Sequence, residues 1–268
     1  MSPNRREREY EKRRYEKWQA KQAERLARRR RNRRVSMSVV AGIAVAAIVT
    51  GVFLLFRGDD KGDTAAATPS PSAANPCPAP TVKAPSQPKK FAKAPPASAA
   101  QGKQWRLTMK TTCGDVVIQL DGAKAPQAVS VLKLLGTSSF WNGSPCHRLT
   151  TEGIFVLQCG DPTGTGSGGP GFEFGPVENA PKGDTYVTGT VAMARRGGDG
   201  KSMGSQFFLV YKDSQIPSDS AGGYTVVGKI VSGLDVVQKV AAGGVSGGSG
   251  DGAPQRAVSI VSSSVTAQ

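Results

Sequence analysis

Arg148 and Gln158 are the side chains whose types and spacing suggest shared chemistry. They lie in the run Cys146-His147-Arg148-Leu149-Thr150-Thr151-Glu152-Gly153-Ile154-Phe155-Val156-Leu157-Gln158-Cys159-Gly160-Asp161. The run reads as two short strands joined by a polar, glycine-containing turn. Side chains alternate along a strand, so Val156 and Gln158 share one face and Phe155 and Leu157 the other. With Arg148 opposite Gln158, the amide would hold the guanidinium in one orientation beside apolar groups. A core avoids a cation on an apolar sheet, so the pattern points to a site.

Other chemistries find little support. The chain has four cysteines and one histidine, with no C-x-x-C pair, so no metal site is expected. Gly200-Lys201-Ser202 resembles the end of a phosphate loop, but Arg195 stands where that motif needs glycine. Gly244 to Gly248 fits G-x-S-x-G formally, yet it sits in a Gly/Ser-rich loop without the preceding strand of a nucleophile elbow. His147, beside Arg148 in a strand, is expected to be a buried structural hydrogen-bonder. Cys77, Cys113, Cys146 and Cys159 allow three pairings. If Arg148 faces Gln158, strand parity argues mildly against a Cys146–Cys159 bridge, a bulge would reverse that parity, and the connectivity stays open.

The elements that must position the pair begin at Trp105. Strands are predicted over Trp105–Thr111 and Asp115–Leu120 about a Cys113-Gly114 turn. Pro126 suits the first turn of a helix running to about Leu135, with Val129, Leu132 and Leu135 on one face. The hairpin follows, then a glycine-rich loop from Thr163 to Gly171. Further strands are predicted over Tyr186–Ala194, Gln206–Tyr211 and Thr225–Ile230. A second helix is expected over Leu234–Ala242 and a closing strand over Val258–Val265. Many short strands with two isolated helices suggest a mainly-β, closed antiparallel barrel capped by helices.

Three blocks now carry a family resemblance. The hairpin resembles the cyclophilin signature F-H-R-V-[IV]-x-x-F-[MV]-[IV]-Q-G-G-D through His147-Arg148, Phe155, Gln158 and Gly160-Asp161, with about two extra residues in the turn. Gly204-Ser205-Gln206-Phe207-Phe208-Leu209 resembles G-S-Q-F-F-[IV], and Tyr224-Thr225-Val226-Val227-Gly228-Lys229-Ile230 resembles Y-T-V-F-G-K-V. The C-H-R-L-T-T and L-Q-C-G-D wording also resembles membrane-tethered cyclophilins of high-GC Gram-positive bacteria. The resemblance implies an eight-stranded barrel with two helices and peptidyl-prolyl cis-trans isomerase activity on proline-containing polypeptides, without a cofactor. It implies catalytic roles for Arg148, Gln158 and Phe155. Val156, Ala194, Arg195, Gln206, Phe208 and Tyr224 would bind substrate. Departures stand out: Val156 is smaller than the common methionine, Arg195-Arg196 replaces Asn plus a small residue, and the polar Pro217–Gly223 stretch leaves one pocket wall weakened. A binding module that keeps the groove and lacks most catalysis is the alternative.

Charge and hydropathy divide the rest of the chain. Lys plus Arg number 35 against 20 Asp plus Glu, a net +15. Residues 1–34 hold 15 basic and 5 acidic side chains, about +10 of that excess, and read as a basic cytoplasmic tail with possible anionic-lipid contact. Specific nucleic-acid binding is not expected, because no basic face with interleaved aromatics follows. Residues 35–56 are 22 residues without a charge, enough for a transmembrane helix in the lipid bilayer, which needs about 20. The positive-inside rule then places the N-terminus in the cytoplasm and the C-terminal domain outside the cell membrane. Residues 57–103 are Pro/Ala-rich and read as a linker, able to reach on the order of 100 Å if extended. Residues 104–268 form the expected cyclophilin-like isomerase domain.

Overall fold

Hydrophobic alternation builds most of the sheet. In β1 (Gln104–Thr111) Leu107 and Met109 are buried, and in β2 (Gly114–Asp121) Val116, Ile118 and Leu120, with more exposed residues between them. The two strands pair antiparallel about the predicted turn. The computed structural model describes residues 77–78 and 87–268. The basic tail, the apolar run 35–56 and much of the linker lie outside the described residues. Among the described residues no helix is long and apolar enough to cross a membrane.

After β2 comes α1 (Pro126–Thr137), with proline in its first turn and Val129, Leu132 and Leu135 buried. Its N-terminal amides find a remote partner: Gln127 and Ala128 donate to the Glu178 carboxylate at 3.0 and 2.9 Å. An acid there satisfies orphan N–H groups and suits the helix dipole. The hairpin is β3 (Arg148–Thr150) and β4 (Val156–Cys159). The predicted Tyr186–Ala194 strand is split into β5 (Thr185–Tyr186) and β6 (Thr190–Met193), because the chain turns at Val187–Gly189, where Gly189 takes φ +88°. Then follow β7 (Phe207–Val210), β8 (Ser214–Gln215), β9 (Val226–Ser232), α2 (Leu234–Ala242), β10 (Asp251–Gly252) and β11 (Ile260–Ala267). Gly233, before α2, has φ +82°, and a Cβ there would lie 2.0 Å from the Asp115 carbonyl oxygen, so only glycine fits.

The strands run in the order β10-β3-β4-β7-β6-β9-β2-β1-β11, with β5 and β8 forming a separate ribbon. The expected eight-stranded closed barrel is corrected to a nine-stranded half-barrel with two helices. The ninth strand, β10, is two residues in a Gly/Ser-rich stretch that carries no alternation. The sheet ends approach each other before β3, where Pro145 bridges Ser259, and Gly143 and Cys146 donate to Ile260 and Val258 at 2.7 and 2.9 Å.

The described part of the linker packs on this unit. Phe91 donates its N–H to Pro170 at 2.8 Å, and its ring lies 6.2 Å from Phe140 and 6.4 Å from Phe172. Ala100 is fully buried and accepts the indole N–H of Trp105. Cys77 is disulfide-bonded to Cys113 in the β1–β2 turn.

Cys146 bonds to Cys159, with Cα atoms 4.0 Å apart, against the parity argument. That argument extended the β3–β4 ladder too far. Only Arg148–Gln158 and Leu149–Leu157 pair, and Cys146 lies beyond the ladder, bonded to the Val258 carbonyl. Closing a loop this short constrains the unfolded chain, so Cys146→Ala/Cys159→Ala should lower stability by about 3 kcal/mol. Chemical denaturation under oxidising conditions checks this; an unmoved midpoint would show that the bridge adds nothing.

Candidate functional site

Sheet register puts the candidate residues in one row. Arg148 of β3 pairs with Gln158 of β4, Gln158 with Phe208 of β7, and Phe208 with Ala192 of β6. Directly opposed residues share a sheet face, so a cation, an amide, an aromatic ring and a small residue stand side by side across four strands. Their neighbours Leu157, Phe207 and Leu209 point the other way into the main core. The row's own face carries a second apolar cluster of Val156, Tyr186, Ala192, Phe208, Val210 and Ile216. Phe208 and Tyr224 meet edge-on with centroids 5.5 Å apart. This cluster floors a cleft of about 480 Å³, lined among others by Arg148, Ile154, Val156, Gln158, Ala194, Phe208, Ile216 and Tyr224. A second cleft of about 810 Å³ adjoins it, bounded by Gly166–Phe172, Lys90, Gln206 and Ala194–Arg196.

A chain of hydrogen bonds fixes the polar side. Arg148 Nη1 donates to Gln158 Oε1 at 3.2 Å, and Gln158 Nε2 donates to Gln206 Oε1 at 2.9 Å. Gln206 Nε2 in turn donates to the Gly166 and Gly168 carbonyls, both at 3.0 Å. The same loop is held from beneath by Asp161, whose carboxylate accepts from the amides of Thr163, Gly166 and Gly168 at 2.7, 2.6 and 3.0 Å. Burial pushes the Asp161 pKa up, but these bonds outweigh it and hold the acid below the usual carboxylate range. The far side of Arg148 is closed by Asp251, which accepts from Nε at 2.8 Å and Nη2 at 2.7 Å. These bonds raise the arginine's pKa against the opposing effect of burial.

Val156, Ala194, Phe208 and Tyr224 line the cleft with Arg148 and Gln158. Phe155 does not. Alternation turns it away from Val156, and it packs 6.0 Å from Tyr211 with Lys212 Nζ 4.4 Å from its ring centre. Ile154 supplies the apolar group at the cleft instead. Gln206 borders the second cleft, with its amide engaged by Gln158 and the glycine loop.

Arg195 lines both clefts, yet its side chain is fully buried. Its guanidinium donates to the Gly222, Gly223 and Arg196 carbonyls and to both oxygens of Asp219, and it stacks 4.6 Å from the Tyr224 ring centre. These bonds use all five of its N–H groups, so it offers shape and no donor to a ligand. The wall expected to be weak is built by this clasp and by buried Ile216. His147 is also at the cleft, but its buried Nδ1 has no hydrogen-bond partner among the described residues, so the expected structural bond is not made with them. Burial lowers its pKa, with Asp161 opposing and Arg148 assisting. Ser246–Gly248 is a 3-10 turn, with no strand-to-helix elbow.

Sequence reasoning missed Ile154, Ile216 and Asp251. Ile154 and Ile216 follow from no motif, although Ile154 sits on the Val156–Gln158 side of the alternation. Asp251 had no signal: an acid in a glycine run has no spacing rule relating it to residue 148.

Arg195 holds Asp219 well below the usual carboxylate range, assisted by the Gly198 and Ala221 amides against desolvation. A depressed folded pKa means stability that is complete above the unfolded pKa, about 4, and is lost as pH falls below it. Asp219→Asn should therefore be less stable than wild type at pH 7 and lose less between about pH 4 and 2. Thermal melting across that range checks this, and parallel curves would remove Asp219 from the acid limb.

The family model described as cyclophilin type peptidyl-prolyl cis-trans isomerase/CLD matches residues 106–265. The probable peptidyl-prolyl cis-trans isomerase B of Mycobacterium leprae is 41% identical over 167 residues, covering 58% of this chain and 55% of the relative. The chain thus spans about half the length of that protein. The peptidyl-prolyl cis-trans isomerase of Helicobacter pylori is 40% identical over 140 residues, covering 52% of this chain and 81% of the relative. In fold, the chain is similar to a Cryptosporidium parvum cyclophilin type peptidyl-prolyl cis-trans isomerase, with TM-score 0.52, 24% identity, and coverage of 62% of this chain and 99% of that one. The same enzyme has been crystallised in the presence of the dipeptide Ala-Pro. This chain belongs to the cyclophilin-type peptidyl-prolyl cis-trans isomerase family.

Proposed function

We propose that the chain catalyses rotation about X-Pro bonds in polypeptides outside the cytoplasm, using Arg148 at the apolar cleft. The supporting observation is the placement of a half-buried guanidinium, oriented by Gln158, beside Val156, Phe208 and Ala194. An X-Pro bond isomerises slowly because amide resonance sets a barrier near 20 kcal/mol. In the twisted state that resonance is lost and the prolyl nitrogen gains a lone pair. A guanidinium beside it stabilises the twisted state more than either planar isomer, which is differential binding. The cleft holds the proline ring by apolar burial. No covalent intermediate is required, and the step consumes no proton.

Arg148→Ala should lower the isomerisation rate on a prolyl peptide by about two to three orders of magnitude, the scale for removing one preorganised donor. Peptide affinity should change little, because Val156, Phe208 and Tyr224 remain. Arg148→Lys should recover little, since an ammonium lacks the planar fork. Equal low rates in wild type and Arg148→Ala, with equal peptide binding, would leave a prolyl-peptide binder.

For location we propose the membrane-tethered form, with residues 35–56 as anchor, the basic tail cytoplasmic and residues 104–268 external. The support is the sequence: about +10 before the apolar run and only Arg57 immediately after it. Protease added to intact cells should remove the domain and spare the tail. Protection of the domain until lysis would reverse the orientation.

A further inference from the structure

We propose that Asp251 is a positioning residue for the isomerase, clamping Arg148 so that its remaining N–H groups face the bound peptide. The inference rests on the isomerase reading above and deepens it. The observation is a two-sided grip on one planar group. Asp251 takes Nε and Nη2 of Arg148 at 2.8 and 2.7 Å, while Gln158 takes Nη1 at 3.2 Å. A guanidinium has five N–H groups, so three are occupied and one is left on each of Nη1 and Nη2. Held by Gln158 alone, the group could rotate about its single contact. With the carboxylate on a second edge, the plane is fixed.

The backbone that carries the carboxylate is itself anchored. Asp251 pairs with Thr150 and Gly252 with Leu149, so β10 is an edge strand laid antiparallel against the arginine's own strand. Thr151 donates its N–H to the Gly250 carbonyl at 2.9 Å, and Ser249 Oγ donates to the Asp251 carbonyl at 2.8 Å. Asp251, Gly252 and Ala253 line the same cleft as Arg148 and Phe208.

Stability does not explain the pair. The two side chains are 40% and 55% exposed, and ion pairs in such surroundings add little to folding. Bidentate carboxylate–guanidinium geometry does supply orientation. The contrast with Arg195 is informative. There every N–H is consumed and the side chain is buried, whereas at Arg148 the clamp stops short and leaves donors for a ligand.

The test measures prolyl-peptide isomerisation and peptide affinity for full-length wild type, Asp251→Ala, Asp251→Asn, Asp251→Glu, Arg148→Ala and the Arg148→Ala/Asp251→Ala double variant. Asp251→Ala should lower kcat about tenfold, the scale on which orienting partners act at other sites, with KM changed by less than about threefold. Asp251→Glu, which keeps the carboxylate, should recover more activity than Asp251→Asn. The double variant should be no slower than Arg148→Ala, because a residue acting through Arg148 has nothing left to orient. The Arg148 Nε–H signal in NMR, protected from exchange in wild type, should lose that protection in Asp251→Ala. Melting temperatures should stay within a few degrees for the Asp251 variants, and a variant that fails to fold is replaced by the isosteric Asp251→Asn. Unchanged or increased kcat in the Asp251→Ala or Asp251→Asn variant, or additive losses in the double variant, overturns the proposal while leaving the isomerase reading intact. Absence of turnover in wild type sinks both.

Discussion

A charged guanidinium at the lip of an apolar cleft has to be kept partnered without being used up. With its side chain 40% exposed it keeps part of its hydration, so its partners matter for direction more than for folding. Arg148 meets the constraint with Asp251 on one side and Gln158 on the other. Gln158 is oriented by Gln206, Gln206 by the carbonyls of Gly166 and Gly168, and that loop by the Asp161 carboxylate. Each polar group in this row takes its direction from the next, so the arginine's position is set from both ends of the cleft. Such networks are rigid when complete, and each missing partner leaves its neighbour free to turn.

Arg195 meets the same constraint by the opposite route. It is the more deeply buried of the two, and carbonyls and Asp219 occupy all its donors. Full satisfaction makes it a structural clasp for the Asp219–Gly223 turn and a flat surface behind Tyr224. Position in the cleft is therefore a poor guide to role. The number of uncommitted donors separates the arginine that can act on a ligand from the one that shapes the wall.

The sequence makes legible what is local and periodic. Strand alternation locates β1 and β2, and the apolar period with Pro126 locates α1. The facing of Arg148 and Gln158, which the hairpin pattern offered only as a condition, is present in the register. Contacts that arise between remote segments are illegible. Asp251 reaches Arg148 across 103 positions from a glycine-rich stretch with no pattern. Phe91 and Ala100 dock as single residues from a segment whose composition reads as linker. Phe155 shows a different failure. Its match to a motif assigned it to the cleft, but it lies just before β4, where its carbonyl accepts from the Tyr211 amide at 3.1 Å and its ring packs on Tyr211.

The β3–β4 pairing is only two residue pairs long, too short to set its register alone, since even a full hairpin is marginal in water. A slip of one residue would turn Arg148 towards the main core and Leu149 into the cleft. Two features oppose that slip. On one side, β4 is locked to β7 through four successive pairs, Val156–Val210 to Cys159–Phe207. At the open end, the Cys146–Cys159 bridge joins the residue two before Arg148 to the residue directly after Gln158. The covalent bond thus stands where the ladder ends and confines the one pairing on which the arginine's orientation depends.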